Sequence, residues 1–231
     1  ILLPVFAIFF PVDVAVALTA VVHLLNNLFK LVLVGKSIHL KIALLFGIPA
    51  IFFAFLGAKI LTSLSGLSPL LTYTLGSSEK TITPINLCIG ILLILFSLFD
   101  LLPGLKRLEF PKKYLPLGGA LSGFFGGLSG HQGALRSAFL IRANLSKDAF
   151  IATGVVIACF IDFSRISIYW GELFNTKENL NLPLLTTAIT MAFLGAFLGN
   201  KYLKKITLST LQNIVGFMLV VFGVLLALGI L

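Results

Sequence analysis

Three of the chain's seventeen Lys and Arg residues, Lys30, Arg136 and Arg165, fall inside long apolar segments, while the others lie in connecting loops or at their edges. Ionisable groups within a bilayer are costly, so they face a partner or a wet cavity and mark a pathway. With few acids at the same depth, these cations suit a small anionic substrate. The densest group is Gly126-Gly127-Leu128-Ser129-Gly130-His131-Gln132-Gly133-Ala134-Leu135-Arg136. Glycines let the chain turn sharply and let a ligand approach the backbone. Irregular backbone at membrane depth survives only where it is buried in protein or faces water. A helix restarting near Gln132 would aim free N–H groups and its positive end at the midplane. Ser129, His131 and Gln132 add hydrogen-bonding side chains beside Gly130 and Gly133, and Arg136 adds a charge one turn along. Close helix packing is the competing account of the glycines, and for the glycines alone it is the better one.

A second constellation lies elsewhere. Asp162 and Arg165 are three residues apart, so on a helix they share a face and can pair. Asn27 and Lys30 repeat that spacing, and His23 precedes Asn27 by one turn. Asp162–Arg165 reads either as a neutralised structural pair or as a gate, with Arg165 released to the anion in another state. Lys30 reads either as a pathway cation or as a side chain snorkelling to the interface. His23 and His131 can titrate near neutral pH, which leaves proton coupling open beside the plainer reading of neutral, hydrogen-bonded histidines. His39, between Lys36 and Lys41, belongs to an interfacial loop.

The elements that must hold these residues are membrane helices. The composition is 58% hydrophobic and 11% charged, with a mean hydropathy of +1.10. A soluble domain carries about a quarter charged residues. The formal charge of +9 then reports loop cations on the cytoplasmic side rather than a nucleic-acid partner. Cys88 and Cys159 sit in apolar runs and do not read as a disulfide. No metal-ligand cluster, no cofactor motif and no nucleophile with an acid/base pair is evident, so the chain reads as a non-enzyme without cofactors.

Segments 12–33, 40–61, 81–102, 149–170, 184–203 and 208–231 are long enough to span about 30 Å of hydrocarbon. Segment 1–10 is too short. Segment 117–141 is long enough but broken by glycines, and the loop cations decide its course. If it crosses, each face receives seven Lys or Arg; if it enters and returns, the faces receive eleven and three. The second count obeys the positive-inside rule, so 117–141 is predicted to be a re-entrant hairpin entering from the cytoplasm. Tyr169 and Trp170 then close a span at the outer interface.

An offset of 135 places Asp13 on Asp148, Asn27 on Asp162 and Lys30 on Arg165, and the string from Ala54 to Lys59 recurs from Ala196 to Lys201. Gly90 and Phe96 find partners in Gly216 and Phe222. Each half is one re-entrant element plus three spans, hence inverted in the membrane, a common build for transporters with a midplane site. The fold class is therefore all-α and integral to the membrane, with a first repeat at 1–102, a basic cytoplasmic linker at 103–117 and a second repeat at 118–231. The offset also puts Ile1 opposite Arg136, so a glycine-rich descending arm is expected upstream of Ile1.

The run Gly127-Leu128-Ser129-Gly130-His131-Gln132-Gly133-Ala134-Leu135-Arg136-Ser137-Ala138-Phe139 resembles the second-half signature of the sulfite exporter TauE/SafE family. The resemblance covers essentially the whole chain, with Gly-His-Gln-Gly its most specific part. It implies a multi-pass permease of the cell (inner) membrane, moving small sulfur-containing anions such as sulfite, sulfonates or related organic acids. The expected partners are that anion and membrane lipid; a homodimer is compatible with GxxxG-like spacings such as Gly195–Gly199. A secondary carrier working by alternating access is the leading reading, and a passive anion channel with the same cationic lining is its alternative.

Overall fold

The computed structural model describes residues 2–106, 108–175, 182–202 and 208–231. Arg107, Lys177, Lys204 and Lys205, which enter the loop-charge count, lie outside them. The helices are α1 (Leu2–Ala7), α2 (Val12–Val34), α3 (Leu40–Ser65), α4 (Pro84–Leu101), α5 (Pro103–Lys106), α6 (Leu115–Ser129), α7 (Gly133–Leu140), α8 (Lys147–Asn175), α9 (Leu182–Tyr202) and α10 (Leu208–Ala227). Among the described residues four helical stretches are long and apolar enough to cross a membrane: Val12–Ser37, Leu40–Ser65, Pro84–Leu101 and Lys147–Gly171. These match four of the six expected spans. The described parts of α9 and α10 give the shorter apolar stretches Pro183–Gly195 and Gln212–Ala227.

Local chemistry sets several boundaries. Thr83 caps α4 by accepting from Asn86 N at 3.2 Å, with Pro84 at a position that needs no N–H. His39 is the N-cap of α3: its Nδ1 accepts from Ile42 N at 3.4 Å, and its own N–H donates to Thr153 Oγ1 on α8 at 3.0 Å. That contact ties the turn between α2 and α3 to the start of α8.

The glycine-rich segment folds back on itself as a helical hairpin. Helix α6 ends at Gly130, in the left-handed region at φ 76°, whose N–H donates to Gly126 O at 2.9 Å. After the three residues Gly130, His131 and Gln132, α7 runs back alongside α6. Ser122 Oγ donates to Gln132 O at 3.2 Å near the tip, and the Phe139 ring packs on Gly118 at the open end. Phe110 stacks on Phe139 with ring centroids 4.2 Å apart and donates its N–H to Ala138 O, so both arms share one end of the molecule.

Helix α6 packs lengthwise on α3. Gly119, Gly123 and Gly127 lie against the carbonyls of Phe46, Ala50 and Ala54, where any Cβ would overlap the oxygen. Four-residue spacing on both partners keeps the glycine row in register with the α3 carbonyls along parallel helices. Packing is thus the role of these three glycines, as the sequence favours for glycines taken alone.

The connections sort by end. The α2–α3 turn, the linker with Lys112 and Lys113, and the α7–α8 connection with Arg142 gather at one end, joined there by the Arg142–Glu109 pair at 2.8 Å and the His39–Thr153 bond. At the other end the expected loop 59–80 holds a β-hairpin, β1 (Leu71–Leu75) and β2 (Ser78–Ile82), turning at Gly76 with φ 65°. Its alternating Thr and Tyr residues suit a strand, a signal the hydropathy reading passed over. The hairpin clasps the chain's last residues: Tyr73 Oη donates to Leu228 O at 2.7 Å and Lys80 Nζ to Ile230 O at 3.1 Å.

Helices α4 and α10 pack antiparallel. Gly90 touches Gly223, and Gly216 lies against Leu101 and Asp100. The larger apolar core joins Leu3 and Phe6 of α1 with Val16 and Leu18 of α2, Leu61 of α3 and Ile89 and Leu93 of α4.

Candidate anion-binding site

Helices α2 and α8 cross through polar side chains. Asp162 is 0% exposed and uses both its oxygens. Oδ1 accepts from Arg165 Nε at 3.1 Å and lies 2.9 Å from Nη2; Oδ2 accepts from Asn27 Nδ2 at 3.0 Å and lies 3.1 Å from His23 Nδ1. The i,i+3 pair therefore forms, and across it come the two α2 residues that the sequence puts one turn apart. The His23 side chain is 41% exposed, so this knot has one open edge.

Arg165, also 0% exposed, has more donors than Asp162 can satisfy. Its Nη1 has no hydrogen-bond partner. The guanidinium lies against Gly130, where a Cβ would stand 2.7 Å from Nη1. Gly130 thus serves twice: it takes the positive φ that closes α6, and it lets Arg165 reach the hairpin tip.

At that tip Gln132 is the N-cap residue of α7 and is buried; its Oε1 accepts from Arg136 Nη1 at 3.4 Å, leaving Nε2 unpartnered. The first turn of α7 adds backbone N–H groups with no intrahelical acceptor. Arg136 points toward α8, where the absence of a side chain at Gly154 leaves space beside its Nε. Among the described residues Arg136 makes no ion pair. Ser129 is engaged in the turn itself, donating to Phe125 O at 3.1 Å and accepting from His131 N at 3.4 Å. His131 Nδ1 lies 3.1 Å from Ser129 O. Buried polar atoms without partners are uncommon in folded proteins and call for a ligand, an ion or water. Among the described residues the buried side-chain atoms without a hydrogen-bond partner are donors, Gln132 Nε2 and both terminal nitrogens of Arg165, of which Nη2 still pairs ionically with Asp162.

Lys30 is half-buried. With the Asn26 amide turned so that its oxygen faces the ammonium, Nζ lies 3.2 Å from it, while the amide nitrogen donates to Ala192 O on α9 at 3.3 Å. Asn26 was not singled out from the sequence, although it precedes Lys30 by four residues and so shares its helix face. Tyr169 corrects the expectation of an interfacial ring. It is 1% exposed, and its hydroxyl donates to Gly127 O, bracing the hairpin arm from α8. Trp170 next to it is 56% exposed. A helix turns neighbouring residues about 100° apart, so only one of the two can face lipid.

A cavity of about 440 Å³ lies on the other side of α7, between α4, α10 and the α4–α6 linker. His131 and Gly133 line its inner end, and Ser137 and Ile141 carry it along α7 toward the basic end. A second cavity of about 300 Å³, near Asp13, Thr83 and Asn86, lies at the opposite end, and the two share no lining residue.

A bundle of long apolar helices around a broken helical hairpin defines a multi-pass membrane protein. Residues 1–226 match the family model described as "Sulfite exporter TauE/SafE", and the chain belongs to that family. It is therefore a membrane transporter of a class that moves sulfur-containing anions, and the resemblance carried by Gly127 to Phe139 holds at the level of the whole chain. No curated protein and no solved structure matches it.

Proposed function

We propose that the chain is a secondary carrier of the cell (inner) membrane that moves small sulfur-containing or organic anions by alternating access, binding them at the hairpin tip. The observation carrying this reading is the set of buried donors without acceptors, Gln132 Nε2 and Arg165 Nη1, beside the unpaired cation Arg136. An anion's oxygens supply what those groups lack. Gly130 and Gly133 give the approach, and Asp162, held by His23 and Asn27, tempers Arg165 until the anion competes for it. Lys30 adds positive potential from α2.

Two inverted halves, 1–102 and 118–231, joined by the linker at 103–117, supply the motion. Asn27 and Asp162, equivalent under the repeat offset, touch each other across α2 and α8. Self-contact of equivalent positions is what a two-fold axis through that crossing requires, and α4 and α10, also equivalents, likewise pack together. With the basic end in the cytoplasm, the larger cavity opens inward. Two cavities at opposite ends without a shared wall favour a carrier over a continuous channel.

The test is flux of sulfite, sulfate, thiosulfate, taurine and lactate into liposomes holding purified protein, with and without a pH gradient. Saturable uptake with counterflow is expected, and channel-rate, non-saturating flux would refute the carrier. Arg136→Ala should cost about tenfold to hundredfold in anion affinity, the worth of a charge-assisted hydrogen bond, while the variant still folds. Normal transport by that variant would overturn the site.

A further inference from the structure

The larger cavity and the unpartnered donors lie on opposite sides of the hairpin tip. His131, Gly133 and Ala134 touch the cavity, whereas Gln132, Arg136 and Arg165 do not. An anion arriving through the cavity must therefore round the tip to reach those donors, and His131 stands at that corner. It is half-buried, belongs to the three-residue connection between α6 and α7, and lies within electrostatic reach of Arg165 and His23. Its hydrogen bonds leave the ring free to move. Both run to Ser129, two residues back, and among the described residues none crosses to another helix. The Ser129 carbonyl can only accept, so Nδ1 carries the proton in that contact. Open space begins two residues on, where a Cβ at Gly133 would meet nothing within 4 Å. Gln132 has no such freedom, because Ser122 holds its carbonyl and Arg136 its side-chain oxygen.

We propose that the His131 side chain is the gate between the larger cavity and the anion site. Its imidazole closes the way around the tip, and it opens when Nδ1–H leaves the Ser129 carbonyl for an oxygen of the incoming anion. The gate rests on the proposed site, since it guards the donors assigned to the anion there. One acceptor replaces another in this step, so no helix has to move. The gate can therefore pass an anion from cavity to donors before the two halves rearrange.

Cys159 is a native reporter beyond the gate. It is buried on α8, one turn before Asp162, and lies within electrostatic reach of Arg136 and Lys30. With Cys88→Ala removing the other thiol, the test is the rate at which sulfonatoethyl methanethiosulfonate, an anionic thiol reagent, labels Cys159 in the purified protein. Adding His131→Ala should raise that rate by about tenfold, the equilibrium worth of the hydrogen bond that holds the ring shut. His131→Ser makes the same opening if the alanine variant fails to fold. Val215→Ala, which widens the cavity wall away from the tip, should leave the rate unchanged. Equal labelling with and without the imidazole, or equal acceleration by Val215→Ala, would overturn the gate and leave the anion carrier standing. Absence of saturable anion uptake by the unaltered protein would instead remove the proposed function, and the gate with it.

Discussion

Two helix crossings in this molecule solve the same problem in opposite ways. Helices α3 and α6 meet through Gly119, Gly123 and Gly127 against Phe46, Ala50 and Ala54, backbone on backbone, with no polar side chain at those contacts. Helices α2 and α8 meet through His23, Asn27, Asp162 and Arg165, with a carboxylate at the centre and spare donors at the rim. Lipid supplies no hydrophobic drive between helices, so either dispersion or polar contact must hold them. The first crossing has one tight arrangement and behaves as scaffold. Under the proposed function the second would exchange one acceptor for another, as a binding site with two states requires.

The contrast is open to breaking. The largest effect should come from Asp162→Ala, which leaves the Arg165 charge buried and uncompensated at a cost of about 3–5 kcal/mol. Combining it with Arg165→Met should recover most of that thermal stability but not transport; recovery of both would make the pair purely structural. Next is the glycine seam. Gly123→Val sets side-chain atoms against the Ala50 carbonyl, a backbone contact that cannot swing aside. A loss of about 3 kcal/mol is expected, the upper part of the overpacking range, with anion affinity in the surviving folded fraction unchanged. An affinity loss in that fraction would show that the seam also shapes the site. The smallest effect should be that of Tyr169→Phe, which leaves Gly127 O without its donor from α8. Thermal unfolding should report about 1 kcal/mol. A much larger drop in transport than in stability would place the hairpin's bracing within the transport cycle.

Local pattern carried far in this chain. Spans 12–33, 40–61 and 149–170 follow from runs of apolar residues, which need no knowledge of neighbours, and they agree with α2, α3 and α8 to within a turn or so at most ends. The restart of a helix at Gln132 follows from a break rich in glycine, and the structure places Gln132 at the N-cap. The Asp162–Arg165 pair follows from a spacing of three on one helix. The hairpin in 59–80 escaped because five-residue strands of Thr, Tyr and Lys leave little mark on a hydropathy profile.

What the residues alone determined are properties of short range: which segments prefer lipid, where a helix must stop, which side chains share a face. The tertiary structure decided everything that depends on two distant segments meeting. It set Asn27 against Asp162, laid the Gly119–Gly127 row on α3, and turned Tyr169 inward while leaving Trp170 out. It also placed the large cavity on one face of α7 and Arg136 toward the other. Hydropathy and helical period act within one segment. The face a buried donor presents, and what it is left without, exist only once helices have docked.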